Sequence, residues 1–469
     1  MKHPRQLRAA LAGIVTLAAT MTLWGTARAD DPEIAHERYM LDNGIQVILH
    51  RDNSVPIVAV DIWYHAGSGD ETPGKSGFAH LFEHMLFQGS KHVGEDRHFD
   101  ILKSIGATAV NGSTNKNRTN YFEVVPSNEL ETALWLESDR MGYFLPMLTK
   151  ESLANQIEVV SNERRQRVDN QPYGKTRFAT AAALYPEGHP YRYMVIGRFE
   201  DLTGSSVTDV RNFYLHWYSP GNATLCIAGD FDTAQVKKLV DKWFGSFPKT
   251  PRPEHVKPPT PVISHTRIQV EDTFAKLRRI DYVWHTPAFF APGDAELDIL
   301  AHALAASGTG RLYKILVHEK QLAQSVVAYQ DSDGWSSTFN IQVTLKSGAD
   351  LAAVEKILDA ELGKVLATPI TKPEFQRAVV DREASFVWGL ERLLARAETL
   401  QRYNHFVGNP DYISEDLDRY RKSSPEKVQK VAATYLTKDH RLEVLTVPST
   451  KAAAAGTGAK VPAKKGDKQ

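Results

Sequence analysis

"SGFAHLFEHMLFQGS", residues 76–90, places two histidines and a glutamate within five consecutive positions of what otherwise reads as an amphipathic helix. Residues four apart share a helix face, so His80 and His84 point the same way, with Glu83 about 60° round the axis from His80. That face has the shape of a ligand-holding surface, and the rest of the chain is best read outward from it. Upstream lies a Gly-rich loop, "AGSGDETPGKSG", with Ser76 placed as the expected N-cap of the helix. Its G-x-G is not a dinucleotide fingerprint, because the third glycine is misplaced and Asp70 and Glu71 would repel phosphate.

The 469 residues exceed one comfortable core and suggest two or three domains. Apolar residues at 42% and charged residues at 24% are ordinary globular usage, which argues against disorder or a multi-span membrane protein. The first 29 residues stand apart: basic "MKHPRQLR", apolar "AALAGIVTLAATMTLW", then Ala27-Arg28-Ala29, an A-x-A cleavage site. This is the pattern of an export signal, and the apolar run is too short for a membrane span, of which about 20 residues are typical. A mature chain starting at Asp30 and located in the periplasm is expected, with no membrane span once the signal is removed. Formal charge is zero overall, and residues 1–29 hold four basic residues and no acid, so the remainder carries −4. The tail, residues 449–469, holds five lysines and one aspartate, leaving −8 on residues 30–448. Surplus acid disfavours nucleic acid as a partner and suits cationic or neutral peptides. Cys226 is the only cysteine and sits in the apolar run "ATLCIAG", where it reads as a small buried hydrophobe. Any metal must therefore use His, Asp and Glu.

From Glu33 to Tyr64 the pattern is of strands, and "GIQVILH" and "PIVAVDIWYH" around the turn "RDNSVP" read as a hairpin. "GATAVNGSTNKNRTNYFEVVP" is a polar, strand-prone segment, followed by a long helical region from about Asn128 to Val168 and a helix–strand unit ending "NATLCIAGDF". Between Pro248 and Pro261, six prolines in 14 residues mark an extended connector and the domain boundary. The second half repeats the first in outline, and an offset of 217 puts Tyr435 on Tyr218, Leu442 on Leu225 and Val444 on Ile227. The expected organisation is a signal peptide at 1–29, a first domain at 30–247, the linker at 248–261, a homologous domain at 262–448 and a disordered basic tail at 449–469.

A catalytic zinc commonly takes three protein ligands and keeps a fourth position for water. His80 and His84 supply two, and Glu83 is placed to act as the base that deprotonates that water. H-x-x-E-H is the inverzincin signature. The third ligand must come from elsewhere, and the helix "ESLANQIEVVSNERRQRVDNQPYG" offers Glu151, Glu158 and Glu163. "SGFAHLFEHMLFQGS" followed by "VVSNERRQRVDNQPYG" resembles the pitrilysin and mitochondrial-processing-peptidase family of zinc metallopeptidases, as a short bacterial-type subunit. The resemblance extends over "NGSTNKNRTNYFEVVP", "WYSPGNATLCIAGDF" and "GRLYKILVHEKQLAQSV". It implies Glu163 as the third ligand and one Zn²⁺ per chain. It implies an α+β fold of two similar domains, each a mainly antiparallel sheet with helices packed on one face, together forming half of a clamshell chamber. It implies, too, an edge strand around Asn111 and Thr114 that binds an extended peptide through its backbone.

Two departures matter. The family often has a second glutamate seven residues before the third ligand, where this chain has Gln156. Peptide-cleaving members use an arginine and a tyrosine in a pattern like L-R-x-x-E-Q-L-x-Y, whereas "LVHEKQLAQ" puts Val317 and Gln324 at those places, with Tyr329 five residues late. Val317 has no donor and Gln324 only a neutral amide. The expectation is a zinc-dependent endopeptidase for short or unfolded peptides, acting as the metal-bearing subunit of a heterodimer. Its homologous partner would lack the zinc motif and supply Arg and Tyr; a homodimer is the alternative. A non-catalytic assembly subunit is the rival reading, opposed by the intact motif. A structural metal is opposed by Glu83, a base beside the ligands that is not needed as one.

Overall fold

The chain folds around two sheets of similar strand order, seen in a computed structural model that describes residues 31–449. The expected signal peptide, and the expected tail apart from Ser449, lie outside the described residues. The strands are β1 (Glu37–Met40), β2 (Gln46–Arg51), β3 (Ile57–Tyr64), β4 (Asn111–Thr114), β5 (Thr119–Pro126), β6 (Ala223–Gly229), β7 (Thr266–Asp272), β8 (Arg279–Thr286), β9 (Ala323–Asp331), β10 (Ser337–Leu345) and β11 (Leu442–Pro448). The principal helices are α1 (Phe78–Met85), α2 (Leu130–Tyr143), α3 (Lys150–Arg164), α4 (Gly174–Leu184), α5 (Val207–Trp217), α6 (Thr233–Phe244), α7 (Asp294–Ala305), α8 (Leu351–Ala367), α9 (Lys372–Gly389), α10 (Leu393–Val407) and α11 (Pro425–Tyr435). Among the described residues no helix is long and apolar enough to cross a membrane.

The first sheet runs β1-β2-β6-β3-β5-β4 and the second β7-β11-β8-β10-β9. The hairpin expected of β2 and β3 is not formed. Strand β6 lies between them, parallel to β2 (Gln46 opposite Thr224) and antiparallel to β3 (Tyr64 opposite Ala223). The reason is burial: every residue of "ATLCIAG" is buried, so this strand takes the centre of the sheet, where both faces and both edges are covered. Cys226 is buried there, as a small hydrophobe. The second sheet repeats the arrangement, with β11 parallel to β7 and antiparallel to β8. The 217-residue offset read from sequence matches the right strands but not the same faces: Leu225 and Ile227 pack with their own half's helices, whereas Leu442 and Val444 lie on the opposite face of their sheet, against Leu184 and Tyr185.

Each sheet packs its own half's helices on one face. In the first half, Val47, Val60, Ile62 and Tyr64 pack with Leu81 and Phe82 of α1, Leu134 of α2 and Val240 of α6. The opposite faces are covered by exchange. Helix α10, from the second half, lays Ala397, Leu400 and Tyr403 on Ile48, Ala59, Cys226 and Ala228 of the first sheet. Gln401 Nε2 donates to the carbonyls of both Asp61 and Thr224 at 2.8 Å. Reciprocally, Leu184 of α4 and the adjoining Tyr185 pack on Val283, Leu442 and Val444 of the second sheet. Residues 248–265, spanning the proline-rich connector, carry neither helix nor strand, as a run without amide donors at six positions dictates.

Candidate metal centre

Helix α1 is held at its start by a carboxylate rather than by the expected serine. Gly77, at φ 92°, is the N-cap residue and provides no side chain. Buried Glu71 reaches across to accept from the N–H groups of Gly77 and Ala79, both at 2.9 Å. Burial pushes the Glu71 carboxyl up, and these two N–H groups pull it back. Ser76 turns away: its hydroxyl donates to Asp201 at 2.5 Å and accepts from the Arg198 N–H at 2.9 Å. The left-handed glycine moves the cap one residue along, which a serine at position 76 could not signal.

The apolar side of α1 fixes its rotation. Phe78, Ala79, Leu81, Phe82 and Met85 are buried, and Phe82 stacks on Phe213, Tyr214 and Tyr218. His80, Glu83 and His84 are left on the other side. Helix α3, begun by a Thr149–Ser152 capping box, delivers Glu163 in its last turn. Glu163 Oε2 lies 3.1 Å from His84 Nε2 and 3.5 Å from His80 Nε2. One ligand atom from each of the three residues falls within 4.8 Å of the others. The second oxygen, Oε1, is held by Arg167 Nη1 at 2.7 Å, from the π-helical turn Arg165–Asp169 that directly follows. Such single π turns recur at functional sites.

The protonation states suit a divalent cation. Burial holds His80 down to about 4, a neutral imidazole at physiological pH. The hydrogen bond from His84 holds Glu163 below its ordinary range, so it is ionised. Two ring nitrogens and one carboxylate oxygen, all half-buried, are a donor set that zinc accepts. His80 Nδ1 is buried without a partner. Glu83 is raised by burial, opposed by the Thr114 hydroxyl, which donates to its Oε2 at 2.6 Å.

Strand β4 forms the wall beside Glu83 and is an edge of its sheet, paired only with β5. Gly112 is required: a Cβ there would stand 2.9 Å from Glu83 Cγ and 3.0 Å from Phe87 Cε2. Thus Thr114 is brought to the site through Glu83, while Asn111 is exposed at the far end of the strand. Gln156 is buried one face of α3 away from solvent. Val317 packs against the second core, Gln324 is exposed on β9, and the Tyr329 hydroxyl accepts from Gln342 at 3.2 Å. No hydrogen bond or ion pair among the described residues joins these three to the His80–His84–Glu163 group.

The other histidines have local partners: His92 with Asp139, His189 with the Tyr191 N–H, and His216 edge-on to Trp217. His98 belongs to a second ligand-like group with Glu123 and Glu137, fully buried and invisible in sequence. That group already contains its cation. Arg140 contacts His98 and lies 3.2 Å from Glu137, its guanidinium over the Tyr121 ring at 4.3 Å.

Sequence profiles of two families match: "Insulinase (Peptidase family M16)" over residues 46–191 and "Peptidase M16 inactive domain" over residues 205–379. The zinc protease PqqE of Helicobacter pylori is 29% identical over 416 residues, which is 86% of this chain and 90% of PqqE. Among solved structures, a protease from Helicobacter pylori superposes with a TM-score of 0.82 at 26% identity, over 89% of this chain and all of that one. The periplasmic protease PqqL from Escherichia coli superposes with a TM-score of 0.74 at 17% identity, over 91% of this chain but 49% of PqqL.

Proposed function

The chain belongs to the M16, or pitrilysin, family of zinc metallopeptidases, and from that premise we propose that it is a zinc-dependent endopeptidase for short or unfolded peptides. The observation that carries the reading is the convergence of His80, His84 and Glu163 within 4.8 Å, with Glu83 beside them and unused as a ligand. His80, His84 and Glu163 hold one Zn²⁺. When bound, the metal supplies a Lewis acid that polarises the scissile carbonyl and lowers the pKa of water. Glu83 takes the proton of the attacking water and passes it to the leaving amine. Its burial favours this role, since a carboxylate raised above its ordinary range accepts a proton more readily. The β4 edge, from Asn111 to Thr114, pairs with the extended substrate backbone, and Thr114 orients the base.

The chain acts as the metal-bearing subunit of a dimer. Its zinc domain is residues 30–247, and residues 262–448 form the homologous domain without metal. Val317 and Gln324 leave it without the arginine and tyrosine of the family pattern, so a homologous partner lacking the zinc motif supplies them. PqqL, about twice as long, fits a unit built from two such halves. The basic and apolar leader with its A-x-A site supports export to the periplasm.

The test is to purify the mature chain alone and with a homologous subunit, measure bound zinc, and assay a fluorogenic peptide library for wild type and Glu83→Gln. Zinc retained with activity reduced by about 10³-fold is expected of the variant. Full activity in Glu83→Gln defeats the mechanism, and full activity of the isolated chain at high dilution defeats the obligate partner.

A further inference from the structure

A cavity of about 130 Å³ opens where the proline-rich connector crosses between the end of β3, α10 and the β4–β5 and β9–β10 turns. Its lining carries two cations, Arg252 and Lys257 from the connector, two histidines, His255 from the connector and His405 from α10, and one carboxylate, Asp70. That carboxylate is fully engaged. Asp70 Oδ1 is 2.6 Å from His255 Nδ1, and Oδ2 accepts the Gly67 N–H at 2.9 Å. Arg252 and Lys257 make no hydrogen bond or ion pair with any described residue, and both are exposed enough for a ligand to reach them.

At the floor, half-buried His405 stacks on buried His65 behind it. His405 and His65 stack with centroids 4.9 Å apart, their Nδ1 atoms 2.6 Å apart, and His65 Nε2 lies 2.7 Å from Thr224 Oγ1. Burial pushes His405 down to about 3, with Arg252, His255, Arg118 and Lys257 adding to it. The two connector cations, Arg252 and Lys257, therefore face a concave site with no free anion among the described residues to offset them. Exposed cations on a convex surface are simply solvated; here they ring a hollow the size of a small anion. Charge-assisted bonds from a guanidinium fork and an ammonium are the recognised chemistry for such a ligand.

We propose that this cavity, ringed by Arg252, His255, Lys257 and His405, binds a small oxyanion, either a free tetrahedral anion such as phosphate or a peptide carboxylate. Binding fastens the connector to two parts of the molecule. One is the Gly67–Glu71 segment, whose Glu71 caps α1. The other is the β4–β5 turn, where the cavity residue Asn117 accepts from the Gly334 N–H at 3.1 Å and Lys116 pairs with Asp333, joining the two sheets. The anion thus stiffens the junction between the halves without touching the metal ligands.

The experiment uses the mature, zinc-loaded chain at constant ionic strength, with sodium chloride as reference. Calorimetric titration and melting temperature are recorded with inorganic phosphate, and separately with N-acetylalanine against its amide. Zinc content is checked throughout. The expected result is a melting temperature raised by phosphate, or by the free acid and not the amide, above the chloride reference. Arg252→Gln with Lys257→Gln should weaken the titrated affinity at least about tenfold, as loss of charge-assisted bonds requires, with zinc content unchanged. Response to phosphate identifies the free anion as ligand, and response to N-acetylalanine alone identifies the peptide carboxylate. If neither probe exceeds chloride, or if the double variant responds as wild type does, the site is refuted.

Discussion

Helices α1 and α7 occupy equivalent places in the two halves, and each begins at a left-handed glycine, Gly77 at φ 92° and Gly293 at φ 102°. Counted from that glycine, the third, sixth and seventh positions are His80, Glu83 and His84 in α1, and Glu296, Ile299 and Leu300 in α7. Ile299 and Leu300 are buried in the second core, and Glu296 merely accepts from the Ser423 hydroxyl at 2.9 Å. The adjacent strands differ too. Strand β9 has nine residues and lies along α7, whereas β4 has four and carries Gly112 where α1 passes. The same scaffold is a core element in one half and, in the other, a helix whose two histidines and glutamate face away from the core. A shorter edge strand and a glycine where the helix passes accompany that uncovered face.

The widest separation between the halves should appear in paired substitutions. Glu163→Gln is expected to lower zinc affinity by about 100-fold or more, read by chelator competition, with little loss of melting temperature. Leu300→Ala is expected to leave zinc affinity unchanged while removing about 2–4 kcal/mol of stability, because it opens a cavity in a closed core. Zinc bound normally by Glu163→Gln, or lost from folded Leu300→Ala, would break the comparison. Next in size is Gly112→Ala, whose added Cβ crowds Glu83 Cγ. Displacing the base without altering the ligands should reduce kcat about tenfold or more, with zinc retained.

What the sequence disclosed follows from how local each feature is. His80 and His84 are readable because a helix fixes the relation of residues four apart, and Glu163 because a family resemblance bridges the 79 residues between. Strand positions were readable from apolar alternation. The partner of a strand is not a local property: β2 and β3 look like a hairpin until β6, some 170 residues later, proves more thoroughly apolar and takes the place between them. The capping of α1 by Glu71 was hidden because the acceptor precedes the helix by a loop, while Ser76 offered the ordinary local signal. The exchange of α4 and α10 was also hidden, since amphipathic periodicity shows that a helix has a buried face but not which sheet receives it.

That exchange yields a more modest prediction. Leu400 of α10 is 1% exposed and Leu184 of α4 is 4% exposed, each against the sheet of the opposite half. Either Leu→Ala change should cost about 2–4 kcal/mol. Amide exchange distinguishes them: Leu400→Ala should loosen β3 and β6 of the first sheet, and Leu184→Ala should loosen β8 and β11 of the second. Loosening confined to the sheet of the substituted residue's own half would contradict the exchange.

The smallest effect concerns acid stability in the second half. Arg311 Nε and Nη2 meet Glu374 Oε1 and Oε2, each at 2.7 Å, and Glu374 also caps α9 by accepting the Thr371 N–H at 2.8 Å. These bonds, opposed by burial, bring the Glu374 carboxyl from an ordinary 4.5 to about 2. A carboxyl depressed on folding stabilises the native state fully above its unfolded value, and that stability is lost as pH falls from about 4.5 to about 2. Both side chains are partly reachable by solvent, so the pair is worth about 1–2 kcal/mol rather than the full value of the shift. Arg311→Gln should therefore lower the melting temperature at pH 6 by roughly 2–4 °C. The gap from wild type should narrow steadily between pH 4.5 and pH 2, because the wild-type carboxylate loses its advantage as it protonates. A gap that is constant with pH would assign the effect to packing of the arginine stem and not to the ion pair. Because Arg311 and Glu374 both lie in the second half, zinc affinity should not follow the change.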